Sequence, residues 1–283
     1  MSAEIIIPAS IKPLDGRFGC GPSKIRPQAL AALSSADLIL GTSHRQRPVK
    51  SVVKRVRDGL HTLFNLPDGY EVILGNGGST AFWDIATLGL IQERSQHLVF
   101  GEFSSKFASA AKEAPFLGEP TVIKSEPGTH PFSVAEAGID VYALTHNETS
   151  TGVSMPILRP GGTDGALVVV DATSAAGGLL VDPKEFDVYY FAPQKSFGSD
   201  GGFFTALMSP AAIERISEIK ATKRWIPPFL DLSIALENSR LQQTYNTPSL
   251  ATIHMFENQV SWFNQQGGLA WSSNKSKQST DYL

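Results

Sequence analysis

The chain has 283 residues, 42% of them hydrophobic, with a formal net charge of -3 and one cysteine. That apolar content is enough for one large core plus a smaller appendage. The slightly acidic balance, without any block of Lys or Arg, argues against nucleic acid or an anionic membrane as partner. Cys20 alone allows no intrachain disulfide and suits a reducing cytosol. The start, MSAEIIIPASIKP, carries too short an apolar run for a signal peptide, and no segment is long and apolar enough for a membrane span; a soluble, cytoplasmic protein is expected. In chain order, an extended arm (residues 1 to about 24) precedes a short helix over 27–33 and a longer one over 48–64. Arg45 and Arg47 stand ahead of the longer helix, and Lys50, Lys54, Arg55 and Arg57 read as its solvated face. Strand and helix patterns then alternate: 71–74 and 81–91, 97–100 and 106–113, strands at 121–123, 141–145, 167–170 and 188–191, then 203–208 and 211–220. This rhythm predicts a mostly parallel sheet covered by helices. Residues 232–257 read as helical with a break at Asn246, Thr247 and Pro248, and the polar stretch 272–282 reads as a loop or frayed end.

Three places carry chemistry. In DVYYFAPQKSFGSDGG (187–202) an apolar strand runs into Lys195 among small and polar residues. An amine at such a strand end, facing a cleft, is expected to be partly desolvated, which favours its neutral, nucleophilic form. Lysines of this kind form Schiff bases with carbonyl cofactors, most often pyridoxal phosphate; the plain alternative is a snorkelling surface lysine. The run ALVVV (166–170) ends directly in Asp171, at the edge where open α/β sheets bind ligands. A carboxylate there could hold a pyridinium nitrogen protonated, or could simply cap a turn. Lastly, GNGGST (75–80) leads from a strand into a helix and offers backbone N–H groups and the Ser79 and Thr80 hydroxyls to a phosphate, or forms only a capped tight turn. It is neither a Walker loop nor a dinucleotide fingerprint.

FGCGPSKIRP (18–27), GTSHRQRPVK (41–50), LGNGGSTAFWD (74–84), GEFSSKF (101–107), THNETSTGV (145–153), VVDATSAAGG (170–178), FAPQKSFGSDGG (191–202) and YNTPS (245–249) occur together. In this combination the chain resembles the phosphoserine aminotransferases of the actinobacterial type, a class-V family within the fold-type I pyridoxal-phosphate enzymes. The resemblance implies that Lys195 bonds the cofactor and shuttles a proton, and that Asp171 holds the pyridine nitrogen. It implies that Ser79, Thr80 and Gln194 bind the cofactor phosphate, with Asn246 and Thr247 supplied by the second subunit of a homodimer. Phe103 would stack on the ring, where many relatives have Trp, and Thr149 would lie beside the ring oxygen. Arg45, with His44, would meet acidic substrates, namely phosphoserine, glutamate and 2-oxoglutarate; arginine's planar fork suits both carboxylate and phosphate. No metal is expected.

Family members run longer and end in a small α/β domain. The expectation is therefore an arm (1–24), a cofactor-binding large domain (25–262) and only the start of the small domain (263–283), most of which is missing. Two other readings stay open: a lyase or desulfurase on the same fold, and a catalytically silent cofactor-binding dimer. A desulfurase needs a mobile cysteine late in the chain, whereas Cys20 lies in the N-terminal arm.

Overall fold

The computed structural model describes residues 5–163 and 165–282; residues 1–4 of the expected arm, Asp164 and the final Leu283 lie outside the described residues. Its centre is a seven-stranded sheet. The strands are β1 (Glu71–Asn76), β2 (Ser95–Val99), β3 (Thr121–Lys124), β4 (Val141–Thr145), β7 (Leu167–Asp171), β8 (Val188–Phe191) and β9 (Phe203–Met208). They lie in the order β1-β9-β8-β7-β4-β2-β3. Strand β9 is antiparallel to both neighbours, and every other pairing is parallel. A two-stranded hairpin, β5 (Asn147–Glu148) with β6 (Val153–Ser154), stands apart just after β4.

Strands buried on both faces need apolar residues throughout, and β4, β7, β8 and β9 are buried at every position. Their side chains divide by pleat. Val168, Val170, Tyr189 and Phe191 join one core, and Leu167, Val169, Val188 and Tyr190 join the other. The first core is closed by α2 (Arg47–Leu63) and α7 (Leu250–Gln266). Helix α2 starts with Pro48 in its first turn and turns Val49, Val52, Val53, Val56, Leu60 and Leu63 inward at helical spacing. The second core is closed by α3 (Ser79–Gly89), α4 (Glu102–Glu113), α5 (Pro210–Ala221) and α6 (Leu232–Arg240). Where β1 crosses over this core, Gly75 is required by space, because a Cβ there would lie 2.3 Å from the Phe204 ring.

Most expected elements are present with small shifts at their ends, including α1 at Pro27–Leu33, but the helical stretch expected over 232–257 is broken more widely, from Leu241 to Ser249, and its second helix continues to Gln266. A second expectation fails outright. Residues 272–282 are not a loop, because they belong to α8 (Gly268–Asp281). The helix is anchored by its first turns: Leu269 is buried in the first core, and Trp271 meets Trp262 of α7 edge-on at 5.1 Å. Composition gave the wrong state because a few apolar contacts at one end, not the polar remainder, hold the helix. The expected domain boundary after residue 262 falls inside α7, which continues to Gln266 and ends at Gly267 with φ 120°.

Two histidines are sealed into this framework. The His97 ring lies 2.9 Å from Ser95 Oγ and edge-on to Phe107, and burial lowers its pKa from 6.5 to about 3. His146 Nδ1 lies 3.0 Å from the Tyr189 hydroxyl, and burial lowers it to about 4. Both are neutral in the folded chain and charge readily in the unfolded one. Their contribution is therefore complete above pH 6.5 and declines as the pH falls toward the folded values. Urea-unfolding midpoints measured from pH 7 to pH 4 should fall accordingly. A His97→Gln variant, which cannot titrate, should lose less over that range than the parent; an equal loss would rule out His97 as a source of the acid sensitivity.

Candidate active site

All parallel strands, and β1 as well, point their carboxyl ends to one rim of the sheet, and a cleft of about 250 Å³ opens there. Asp171 is the last residue of β7 and Lys195 follows the adjacent β8, so neighbouring strands deliver the acid and the amine to the same cleft. Ser79 and Thr80 open α3 directly after β1, with their backbone at the positive end of the helix dipole. Gly77 N donates to the Gly202 carbonyl at 3.1 Å, tying this turn to the far end of the lysine loop. Phe103 reaches the cleft from the first turn of α4, Thr149 from the tip of the β5–β6 hairpin, and Gln194 from beside the lysine.

Seven of the residues singled out from sequence thus line one cleft: Ser79, Thr80, Phe103, Thr149, Asp171, Gln194 and Lys195. The other four do not line it within the chain. His44 is buried, with its Nδ1 3.1 Å from Thr247 Oγ1, and Arg45, Asn246 and Thr247 are exposed. The Lys195 side chain is half-buried. Its Nζ donates to the carbonyl of Cys20 at 3.0 Å, and Ser23 N donates to the Gln194 carbonyl at 2.7 Å. The N-terminal arm therefore lies over the lysine, close enough at Gly21 that a Cβ would fall 2.7 Å from Nζ.

Asp171 is held by residues the sequence reading passed over. Oδ2 accepts from Trp83 Nε1 at 3.0 Å, and Oδ1 accepts from Thr173 N and Oγ1 at 2.9 and 2.6 Å. Burial pushes the carboxyl above the usual range, and the bonds from Thr173 and Trp83 oppose that rise. A signal for both was available. Trp83 stands one helical turn after Ser79 on the same face of α3, and Thr173 is two residues beyond Asp171, the spacing of an Asx-turn. Asn147 and Ser174, bonded to each other at 2.8 Å, complete the floor.

Buried polar atoms ordinarily find partners, yet Ser79 Oγ and Gln194 Oε1 have none among the described residues. The Ser79 hydroxyl, a free donor beside a helix N-terminus, suits an anionic group. A buried carboxylate facing the same space suits a protonated ring nitrogen, and an aromatic ring at the mouth suits a flat ligand. The residues present fit pyridoxal phosphate. Among the described residues no group of three or more His, Cys, Asp or Glu could hold a metal ion, and no helix is long and apolar enough to cross a membrane.

The model of the family "Aminotransferase class-V" matches residues 28–283. The chain belongs to the class-V aminotransferases. Within this family, a phosphoserine aminotransferase of Rhodococcus jostii is 56% identical over 284 residues, and one of a Nocardioides species is 59% identical over 286 residues. Each alignment covers all of this chain and 76% of the relative. Among solved structures, a phosphoserine aminotransferase of Cytophaga hutchinsonii superposes with a TM-score of 0.82 at 27% identity, covering 90% of this chain and 72% of that one. This class-V aminotransferase thus has the fold expected from its sequence, a mostly parallel mixed sheet of the fold-type I kind.

Proposed function

We propose that this class-V aminotransferase is a phosphoserine aminotransferase, moving an amino group between O-phospho-L-serine and 2-oxoglutarate to give 3-phosphohydroxypyruvate and L-glutamate in serine biosynthesis. The observation that carries the reading is one cleft holding Lys195, Asp171 and the unpaired Ser79 hydroxyl, in a chain more than half identical to proteins bearing that name. Pyridoxal phosphate, when bound, supplies an aldehyde and an electron sink for bond changes at the substrate's α-carbon. Lys195 would bond the cofactor and afterwards carry the α-proton, while Asp171, held by Trp83 and Thr173, would keep the ring nitrogen protonated. Ser79, Thr80 and Gln194 would hold the phosphate, Phe103 would cover the ring, and Thr149 would lie beside its oxygen.

Asn246 and Thr247 would serve the cleft of a second copy, since they lie outside their own. His44 is bonded to Thr247, so Arg45 and His44 would travel with them and meet the acidic substrate from across a homodimer interface. A cytoplasmic location and a part in pyridoxine biosynthesis belong to the same proposal. So does the division into an arm (1–24), a large domain (25–262) and the start of a small domain (263–283). The deciding experiment is glutamate-forming activity on phosphoserine and 2-oxoglutarate with the purified, cofactor-loaded protein; full loading without glutamate formation would refute the assignment. A Ser79→Ala variant is expected to bind pyridoxal phosphate about tenfold more weakly, the worth of one hydrogen bond to a charged oxygen. Titration of the apoprotein with cofactor, followed by absorbance, checks this.

A further inference from the structure

We infer that Glu148 is a positioning residue, which locks Phe103 and Thr149 into one wall of the cleft and so holds the cofactor ring; this rests on the pyridoxal-phosphate reading above. Glu148 is completely buried, and among the described residues it has no cationic partner within ion-pair distance. A buried carboxylate persists in such a place only when hydrogen bonds replace its water. Here the replacement is complete and comes from both sides of the wall. Oε2 accepts from Ser104 N at 2.8 Å and Ser104 Oγ at 2.9 Å, in the first turn of α4. Oε1 accepts from Phe103 N at 3.3 Å, and from Ser150 N at 3.3 Å and Ser150 Oγ at 2.7 Å in the hairpin. One oxygen therefore joins the backbone of the ring-covering Phe103 to the residue next to Thr149.

Other contacts run the same way. Ser150 Oγ accepts from Glu102 N at 2.9 Å, and Thr151 Oγ1 donates to the Phe100 carbonyl at 3.2 Å. The carboxylate lies so close to the α4 start that a Cβ on Gly101 would fall 2.3 Å from Glu148 Cγ and 2.5 Å from Cδ. No ordinary side chain fits between them. Phe103 is 37% exposed, and the Lys106 ammonium stands 5.5 Å from the centre of its ring. Packing does not fix that ring, so its place depends on how its backbone is anchored. Burial would raise the Glu148 carboxyl, but the bonds from Ser104 and Ser150 outweigh it and leave the group below its ordinary value, ionised at neutral pH.

A helix cap alone would affect stability; a positioning residue also affects what the cleft does to a bound ring. In Glu148→Gln, the amide NH₂ would face donors whichever way it turned, so the wall should loosen. The pyridoxal-phosphate dissociation constant is expected to rise about tenfold, and the circular dichroism induced in the bound cofactor's visible band to fall, relative to wild type at equal occupancy. Ser150→Ala removes the hairpin side-chain contact while leaving Glu148 charged, and should weaken cofactor binding about threefold with a smaller loss of the induced signal. It decides the matter if the glutamine variant does not fold. Unchanged affinity and unchanged induced dichroism in a folded variant, with only a lower melting temperature, would reduce Glu148 to a cap and overturn the inference while sparing the functional reading. A wild-type chain that takes up no pyridoxal phosphate would overturn both.

Discussion

Replacing Lys195 by alanine is expected to give a folded protein that has no persistent yellow colour after gel filtration and no response to glutamate. Among the described residues the amine is the only lysine nitrogen lining the cleft, and no other group lining it can both bond an aldehyde and carry a proton. Transamination should fall by about four orders of magnitude or more, since a nucleophile and a proton carrier are lost together. The fold should be little affected, because the side chain is half-buried and its one hydrogen bond is to the Cys20 carbonyl. Visible spectra before and after glutamate, beside far-ultraviolet circular dichroism, test both halves. A variant that keeps the visible band and still bleaches with glutamate would remove Lys195 from the chemistry.

The second large effect is expected at Asp171. Asp171→Asn keeps the size of the side chain but loses its charge, so the ring nitrogen would lose the partner that keeps it protonated. The rate of the glutamate half-reaction should drop by about two to four orders of magnitude, while cofactor binding survives through the phosphate and Lys195. There is also a structural cost. Trp83 Nε1 and the Thr173 N–H and O–H all donate to the two carboxylate oxygens, and an amide can accept on one side only. A donor left unpaired in the interior costs about 1–3 kcal/mol, so the melting temperature should fall too. Stopped-flow rates and thermal melts on the same preparation separate the two effects. A rate within about threefold of the parent, with lowered stability, would make Asp171 a turn residue and nothing more.

The central chemistry was legible in the sequence because it sits where strands end. ALVVVD and DVYYFAPQK each show a fully apolar strand running into a polar residue, and parallel strands must put those ends on one rim. The same logic found Ser79 and Thr80 after β1. What stayed hidden is set by tertiary contact. A hairpin of two-residue strands leaves no periodicity, so β5 and β6 were invisible, and with them the reason why Glu148 is buried. Trp83 stands one helical turn after Ser79, but only the folded chain brings its indole nitrogen to Asp171 Oδ2. Helix α8 was misread because polar composition speaks for most of its length and the anchoring Leu269 and Trp271 for only one end. His44, Arg45, Asn246 and Thr247 were recognised from motifs, and a single chain leaves them outside its own cleft.

Strand β9, which runs opposite to the other six strands of the main sheet, spares the chain a crossover at the point where it matters. Because β8 ends and β9 begins on the same rim, the segment between Phe191 and Phe203 leaves the sheet and rejoins it without travelling along its face. A parallel partner would have required the connection to be carried back across the sheet to the opposite rim. Lys195 rides instead on a tether fixed at both ends, with one end also bonded to the turn that carries Ser79. Most of the freedom the amine would otherwise have to surrender is gone once the sheet has formed, so a ligand entering the cleft would meet an amine already confined to it.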